Sequence, residues 1–220
     1  MAVSFMVLDR CVTLTKCSRA RLATVIWILG PCLIALAGCT SRDEDPADSF
    51  SKQKPAVGEP APDFVLKDVN SQPFHLKDYV GRHFIVLEFG STTCPMCTQS
   101  GLDRREALAK KYRGRVEFAF IYCREAHPDH PFGSMAFKSG PNPSQTTNWP
   151  DRAKRAQEFQ KQFKIERRLL VDEIGEPTVQ HEFGNRDSEI VVVDRAGDIV
   201  LKQQYADTKE LEDYLDQHCE

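Results

Sequence analysis

The chain has 220 residues, of which 41% are hydrophobic and 28% are charged, as is typical of a globular domain with additional segments. The net charge is −3, but residues 1–38 contain four basic side chains and only one acidic one; the remaining 25 basic and 31 acidic side chains give a net charge of −6. An acidic domain of this kind lacks the basic character of nucleic-acid-binding proteins, so we predict no nucleic-acid partner.

The N-terminus has the features of an export signal. Basic residues up to Arg21 precede an apolar run over 22–37, which at about 16 residues is short for a membrane-spanning helix. The run ends in Leu36-Ala37-Gly38-Cys39, which resembles the lipobox of bacterial lipoproteins, where the cysteine is lipidated. We therefore predict a lipoprotein signal peptide over 1–38, lipidation of Cys39 and a location in the cell envelope, lipid-anchored and facing the periplasm or outside. An ordinary signal peptide or a short membrane anchor is the alternative.

The segment that follows is polar and shows no apolar periodicity. It reads TSRDEDPADSFSKQKPAV over 40–57, a composition that favours a disordered tether. The predicted domain organisation is a signal peptide over 1–38, a tether over 39–57 and one folded domain over 58–220.

The folded domain alternates strand and helix patterns. In chain order the predicted elements are strands over 61–66, 73–76 and 84–89, a helix over 95–112, a strand over 116–122, a helix over 151–163, a strand over 169–171, a helical turn over 177–183, a hairpin of strands over 190–193 and 199–201, and a helix over 209–218. This order predicts an α/β fold with a central mixed sheet flanked by helices and an N-terminal β-hairpin extension. The region 124–150 lacks periodicity and contains five prolines, which is typical of a functional loop.

The motif Cys94-Pro95-Met96-Cys97 follows the predicted strand over 84–89 and begins the next helix. Two thiols three residues apart on a helix have Cβ atoms about 5–6 Å apart, close enough to form a disulfide. The helix N-terminus favours the thiolate of Cys94, which we predict to be the nucleophile and the more exposed thiol, and Cys97 is the predicted resolving thiol. A second Cys or Cys/His pair at zinc-knuckle spacing is lacking, and His127 and His130 form only a His-x-x-His pattern, which is a weak metal signal. We therefore predict neither a bound metal nor a cofactor.

Glu88 lies within an apolar strand, six residues before Cys94. Burial raises the pKa of a carboxyl group, so Glu88 is predicted to exchange a proton with Cys97; the alternative is a carboxylate paired with a lysine or histidine at a pocket edge. We expect Cys123 to pack as a small apolar residue and Cys219 to be exposed at the C-terminus. A disulfide between Cys123 and Cys219 stays open as an alternative.

The order of elements and the Cys-x-x-Cys motif resemble the thioredoxin-like superfamily, and Val57-Gly58-Glu59-Pro60-Ala61-Pro62-Asp63-Phe64 is similar to the start of redoxin domains. Two further segments, FGSTTCP over 89–95 and IYCREAHP over 121–128, resemble the iodothyronine deiodinase family and its bacterial relatives. The likeness extends over about residues 58–216. It implies that Cys94 stands where animal deiodinases carry selenocysteine and that His127 is a functional residue.

The chain also departs from these families at three places. Cys97 stands where deiodinases have an apolar residue, and Lys202-Gln203-Gln204-Tyr205-Ala206 replaces their glycine-rich segment. Arg186-Asp187-Ser188 stands where thioredoxins carry a cis-proline that contacts substrate.

The combined features predict a membrane-anchored extracytoplasmic thiol–disulfide oxidoreductase. Its predicted partners are a protein or small-molecule disulfide, a thiol system that donates electrons, and the membrane through the lipid anchor. One alternative is a deiodinase-like reductive dehalogenase, with a halogenated substrate, Cys94 as nucleophile and His127 as proton donor. A peroxidase is disfavoured because Leu87 and Ser91 replace the proline and threonine of the peroxiredoxin motif. A Cu(I) carrier using Cys94, Cys97 and His127 is the alternative that is not an enzyme.

Overall fold

The computed structural model of the chain describes residues 46–99, 101–130 and 141–219. The predicted signal peptide, the predicted lipidation site Cys39 and the start of the predicted tether lie outside the described residues. Within the described ranges, no helix has the length and apolar character needed to cross a bilayer.

The sheet has seven strands in the described chain, and their spatial order is β2-β1-β5-β4-β3-β6-β7. The three central strands β3, β4 and β5 run parallel, while the pairs β1–β2, β1–β5, β3–β6 and β6–β7 are antiparallel. The structure therefore confirms the predicted mixed sheet and the N-terminal hairpin β1–β2. The strand bounds are β1 Val65–Asp68, β2 Pro73–His75, β3 Phe84–Gly90, β4 Val116–Tyr122, β5 Arg168–Val171, β6 Ile190–Val193 and β7 Ile199–Gln203.

The helices flank the sheet as predicted, and the capping residues explain several of their starts. The Asn148 side chain accepts a hydrogen bond from the backbone N–H of Asp151, and Asp207 accepts from Lys209 and Glu210, so the orphan donors of two helices are satisfied. The helix bounds are α1 Pro46–Ser51, α2 Pro95–Gln99, α3 Leu102–Lys111, α4 Trp149–Phe163, α5 Val179–Phe183 and α6 Thr208–His218, with a short 3₁₀ turn at Leu76–Asp78.

The alternation of side chains along β3 divides the core between two faces of the sheet. Leu87 and Phe89 point to the face covered by the N-terminal hairpin and α5, whereas Val86 points to the face covered by α3 and α6. Helix α4 covers a further apolar cluster around Phe120 and Phe159. Both faces of β3 and β4 are buried, which explains why these strands read as nearly continuous apolar runs.

The predicted disorder of the whole segment 39–57 is wrong from residue 46 onward. Helix α1 packs against β7, and the Phe50 side chain is only 2% exposed. Lys202 on β7 donates hydrogen bonds to the carbonyl oxygens of Gln53 and Pro55. One aromatic anchor and a few backbone acceptors hold this polar segment, so its composition alone does not reveal the order. We refer to residues 46–58 as the N-terminal arm.

The helix predicted over 95–112 is two helices, α2 and α3. Gly101 between them has a left-handed φ of 75°, and a Cβ atom there would lie 2.8 Å from the hydroxyl oxygen of Thr208. Close approach between the start of α3 and the start of α6 therefore requires glycine at this position, and the change of direction ends α2 early.

The structure corrects the prediction for the C-terminal cysteine. Cys219 is 1% exposed and packs with Tyr112 and Leu215 in the core beneath α6. Cys123 is buried in the core on the other face of the sheet, as expected of a small apolar residue. Both are free thiols, and their separation into two cores rules out the bridge between them.

Candidate functional site

The two cysteines of the motif lie where β3 ends and α2 begins. Gly90 is the last residue of β3, and residues 91–93 connect it to Cys94. A Cβ atom at Gly90 would lie 2.6 Å from Sγ of Cys97 and 2.7 Å from the Phe120 ring. The chain therefore needs a glycine at the strand end for the Cys97 thiol to pack directly over it.

The two thiols have opposite acidities. The Cys97 thiol interacts with the sulfur of Cys94 and lowers the pKa of Cys94 despite burial, with help from the backbone N–H groups of Cys97 and Met96. Burial raises the pKa of Cys97 well above its usual value, and the neighbouring Cys94 and Glu88 raise it further. The pKa of Cys94 thus shifts in the predicted direction, but the neighbouring Cys97 thiol is the main cause of the lowering, and the helix amides come second. Cys94 is the more exposed thiol only marginally, at 3% against 1% for Cys97.

The segment that connects α5 to β6 borders the dithiol. The Cys97 thiol donates to the carbonyl oxygen of Asp187 at 3.1 Å and lies 3.8 Å from the carbonyl oxygen of Phe89. This is the place where the sequence has Arg186-Asp187-Ser188 in place of a cis-proline. The cis peptide bonds of the described chain precede Pro55 and Pro177 instead. A backbone carbonyl oxygen therefore accepts the hydrogen bond of the Cys97 thiol here, and the Asp187 carboxylate acts against the lowering of the Cys94 pKa.

Glu88 is fully buried, but its pKa is lowered rather than raised, which corrects the prediction. Burial acts to raise the pKa, and two arginines overcome this effect. The Arg105 Nε atom donates to a carboxylate oxygen of Glu88 at 2.9 Å, and Nη2 of Arg167 lies 2.6 Å from the same oxygen. Arg167 also contacts Glu106 at 2.8 Å. A carboxyl group with a lowered pKa is ionised at neutral pH, so Glu88 is poorly suited to carry protons to or from Cys97.

A second buried carboxylate, Glu125, holds the loop before Cys94. It accepts hydrogen bonds from the backbone N–H and hydroxyl of Thr93 at 3.1 and 2.8 Å, from the Tyr122 hydroxyl at 2.7 Å, and from Arg155 at 3.0 Å. Tyr122 in turn bonds Thr92. None of these residues is predicted to be functional from the sequence. The available signal was the position of Glu125 inside the deiodinase-like segment 121–128.

His127 lies at the surface beside this network. Its backbone N–H donates to the Thr93 hydroxyl at 3.1 Å, and its carbonyl oxygen accepts from the Asn142 side chain at 2.7 Å. The imidazole is exposed. The structure therefore brings the backbone of His127 next to the residue that precedes Cys94 and leaves the ring open to solvent.

Part of the predicted functional loop 124–150 is ordered against the site. Gln145 bonds the backbone of Glu125 through both its amide oxygen and its amide nitrogen, while residues 131–140 lie outside the described chain. Within the described ranges, no group of three or more histidine, cysteine, aspartate or glutamate side chains is arranged to hold a metal ion.

Comparison with known proteins gives one family and one fold. The sequence profile described as "Iodothyronine deiodinase" matches residues 46–208. The chain is 43% identical to human thyroxine 5-deiodinase over 76 residues, which cover 32% of this chain and 24% of the human protein. It is 32% identical over 92 residues to the thioredoxin-like protein YneN of Bacillus subtilis, covering 41% of this chain and 52% of that protein.

Among solved structures, a putative thiol:disulfide interchange protein DsbE from Chlorobium tepidum superimposes with a TM-score of 0.53 at 19% identity, covering 74% of this chain and 96% of that one. The chain thus matches about a quarter of the length of the human deiodinase and about half of YneN. The structural likeness confirms the predicted thioredoxin-like fold.

Proposed function

The chain belongs to the iodothyronine deiodinase family, and from this premise we propose that it is an extracytoplasmic thiol–disulfide oxidoreductase that uses Cys94 and Cys97. The observation that carries the proposal is the opposed acidity of the two thiols, with the pKa of Cys94 lowered and that of Cys97 raised. Such a pair supplies a thiolate for attack and keeps the second thiol protonated until it is needed.

In the proposed reaction the Cys94 thiolate attacks one sulfur of a substrate disulfide. A Cys94–substrate mixed disulfide forms, and the other substrate sulfur leaves as a thiolate and takes up a proton from water. Cys97 then loses its proton and attacks Sγ of Cys94, which releases the second substrate thiol and leaves a Cys94–Cys97 disulfide. Two electrons pass from the protein to the substrate, and a donor thiol system restores the dithiol.

Two features of the site support the order of these steps. The fixed negative charge of Glu88 disfavours the Cys97 thiolate, and the hydrogen bond to the carbonyl oxygen of Asp187 holds the thiol in place. Once Cys94 is in a mixed disulfide, its thiolate charge no longer raises the pKa of Cys97. Cys97 therefore becomes a better nucleophile at the moment when resolution is required.

The decisive experiment is to trap the intermediate. Cys97→Ser should accumulate a stoichiometric, reductant-sensitive mixed disulfide at Cys94 when the reduced protein meets a disulfide-bonded substrate protein. Cys123→Ser changes a buried thiol outside the motif and should turn over like the unmodified chain. If Cys97→Ser forms no mixed disulfide while its Cys94 thiol still reacts with iodoacetamide, the proposed dithiol exchange is wrong.

A deiodinase-like reductive dehalogenation is the second candidate, and the fixation of the His127 backbone beside Thr93 favours it. In that reaction the Cys94 thiolate attacks the halogen, the carbon–halogen bond breaks, and His127 protonates the carbon that is released. A thiol of the donor system then attacks the Cys94 sulfenyl halide, which releases the halide ion and leaves a mixed disulfide, and a second donor thiol reduces that disulfide and restores Cys94. Loss of iodide release in His127→Ala, with near-normal release in Cys97→Ser, would support dehalogenation over disulfide exchange. The reverse pattern would support the dithiol reaction.

We further propose that Cys39 carries a lipid anchor, since Leu36-Ala37-Gly38-Cys39 resembles a lipobox, and that residues 39–45 form the tether. Incorporation of a labelled fatty acid should depend on Cys39, and Cys39→Ser should move the protein from the membrane fraction to the supernatant.

The reduction potential of the Cys94–Cys97 pair gives the direction of disulfide exchange. A value of about −270 mV is typical of a reductant, and a value of about −120 mV is typical of an oxidant.

A further inference from the structure

Glu189, immediately before β6, is a buried carboxyl group that the dithiol reaction does not use. Its side chain is 0% exposed, and neither carboxylate oxygen makes a well-aligned hydrogen bond within the described part of the chain. Burial raises the pKa of Glu189 to about 8, although Lys202, Arg186 and the backbone N–H of Arg186 act to lower it. A buried carboxyl group without a good donor is costly when ionised, so its position needs an explanation.

The N-terminal arm covers this carboxyl group. Gly184 lies between the Phe50 ring of the arm and the Glu189 carboxyl group. A Cβ atom at Gly184 would lie 3.0 Å from Oε2 of Glu189 and 3.0 Å from the Phe50 ring. Gln53 donates to the carbonyl oxygen of Gly184 at 3.2 Å. Phe50, Gly184 and Glu189 are therefore stacked with no room for a further side chain.

Lys202 connects the arm to Glu189. Its ammonium donates to the carbonyl oxygens of Gln53 and Pro55 at 3.0 and 2.8 Å and lies 4.6 Å from the centre of the Phe50 ring. The pKa of Lys202 is lowered by burial, and Glu189 acts to raise it. The Lys202 ammonium thus donates hydrogen bonds to the arm and interacts electrostatically with Glu189. The carbonyl oxygens of the arm and the Glu189 carboxylate compete for it.

The segment beneath the arm also contacts the dithiol. The Arg186 guanidinium lies 5.9 Å from the centre of the Phe50 ring. The Gln180 side chain donates a hydrogen bond to the carbonyl oxygen of Arg186 at 2.8 Å. The next residue, Asp187, accepts the hydrogen bond of the Cys97 thiol. A continuous set of contacts therefore runs from Phe50 in the arm to the resolving cysteine.

We propose that the N-terminal arm is a proton-controlled latch, which closes over protonated Glu189, holds residues 184–188 against Cys97, and opens when Glu189 ionises and draws Lys202 away from the carbonyl oxygens of Gln53 and Pro55. Once the arm opens, water reaches the carboxylate. The carbonyl oxygen of Asp187 is then less firmly positioned as the acceptor for Cys97.

The charges around Glu189 set the direction of this response. Lys202 faces it from β7, Arg186 and Asp187 from the segment after α5, and the Cys123 thiol from the end of β4, while the arm contributes the neutral Phe50 ring. With the arm closed the pKa is about 8, and with the arm open and solvated it returns toward the usual 4.5. Between pH 4.5 and pH 8 the closed state therefore binds one more proton than the open state. The equilibrium constant for closure falls as the pH rises through this range and becomes constant above pH 8.

Hydrogen exchange of the full chain measures this equilibrium directly. In the closed arm the backbone N–H of Val57 bonds the carbonyl oxygen of Ser51 and that of Gly58 bonds the carbonyl oxygen of Ile199, and we expect opening of the arm to break both bonds. After correction for intrinsic exchange, their protection should fall by up to about tenfold per pH unit between pH 5 and 8 and then become constant. Glu189→Gln should stay protected throughout, whereas Lys202→Met should lose protection even at pH 5, with β3 and β4 amides protected in both variants.

The link to the dithiol requires a separate measurement at fixed pH. At pH 6 the arm variant Phe50→Ala should raise the rate of Cys97 alkylation several-fold in the Cys94→Ser background, while Lys54→Ala, which removes only an exposed pair with Glu59, should not. Arm protection that does not change from pH 5 to 8, or the same slope in Glu189→Gln, would overturn the latch. Equal alkylation rates in Phe50→Ala and its parent would remove the connection to Cys97. Neither result depends on whether the dithiol exchanges disulfides.

Discussion

Two buried carboxyl groups at the antiparallel strand pair β3–β6 have pKa values that are shifted in opposite directions. Glu88 on β3 is 1% exposed and Glu189, just before β6, is 0% exposed. The pKa of Glu88 is lowered, because Arg105 and Arg167 both contact one carboxylate oxygen. Burial raises the pKa of Glu189 to about 8, and Lys202, which donates its hydrogen bonds to the arm, offsets only part of this effect. Equal burial therefore gives a fixed charge in one place and a titrating group in the other, and the donors decide which.

This difference assigns the two carboxyl groups different relations to the dithiol. The permanent charge of Glu88 raises the pKa of Cys97 and changes little over the physiological pH range. Glu189 changes charge near neutral pH, and it lies two residues from Asp187, whose carbonyl oxygen accepts the Cys97 hydrogen bond. The first residue adds to the burial that raises the pKa of the Cys97 thiol, and the second lies beside the segment that accepts its hydrogen bond.

Removing the charge of Glu88 should have the largest effect on stability. Glu88→Gln removes the carboxylate charge that contacts the buried Arg105 and Arg167, so we expect a loss of about 3–5 kcal/mol in the free energy of unfolding at pH 7. Because the folded-state pKa of Glu88 is lowered, this stabilisation is present above the usual value of 4.5 and is lost as the pH falls below it. Urea unfolding at pH 7 and pH 3.5 measures both effects.

Glu117→Gln is a matched control on the neighbouring strand, since Glu117 pairs in register with Ile85 and its pKa is raised by burial. It should cost far less than Glu88→Gln. The contrast between the two carboxyl groups would be wrong if Glu88→Gln unfolded at the same urea concentration as the unmodified chain. In the same variant the pKa of Cys97 should fall, which the pH dependence of its alkylation reports.

Glu189→Gln should act in the opposite direction and with a smaller magnitude. At pH 8 the amide avoids the cost of a buried charge, so the variant should be more stable than the unmodified chain by about 2–4 kcal/mol. The raised pKa means that the native stability is fully present below 4.5 and declines as the pH rises through 8. The advantage of the variant should therefore shrink to near zero at pH 4.5.

The measurement is urea unfolding across pH 4.5 to 9. Glu158→Gln, which removes an exposed carboxylate from α4, should follow the curve of the unmodified chain. A Glu189→Gln curve parallel to the unmodified chain at every pH would mean that Glu189 is ionised throughout and that its environment resembles that of Glu88.

Much of the fold follows from local sequence patterns. The apolar runs of β3 and β4, the polar turn of the β1–β2 hairpin and the amphipathic α4 each specify their element within a few residues. The position of Cys94 and Cys97 at the start of a helix also follows, because the motif directly continues a buried strand. These features depend on neighbours in the chain.

Features that depend on distant partners could not be predicted in the same way. The sign of the Glu88 pKa shift requires Arg167, which is 79 residues away in the sequence and reaches Glu88 through the start of β5. The order of the N-terminal arm requires the Phe50 site formed by Gly184 and Lys202. The break at Gly101 requires the approach of Thr208. A pattern of polar and apolar residues does not encode these pairings.

A third buried carboxyl group, Glu125, accepts hydrogen bonds from neutral donors as well as from an arginine. Changing one of these donors gives the smallest of the expected effects on stability. The Tyr122 hydroxyl donates to Glu125 and accepts from the backbone and hydroxyl of Thr92, all within the buried loop before Cys94. Tyr122→Phe removes the hydroxyl that accepts from Thr92 and donates to Glu125, while Glu125 keeps Arg155 and Thr93, so we expect a loss of about 1–2 kcal/mol in the free energy of unfolding. Because Cys94 follows this loop, its alkylation should also become faster at constant pH.

Tyr214→Phe is the control, since the Tyr214 hydroxyl makes no hydrogen bond to the described residues. If Tyr122→Phe and Tyr214→Phe had equal stability and equal Cys94 reactivity, the Tyr122 hydrogen bonds would not be what holds the loop before Cys94 in place.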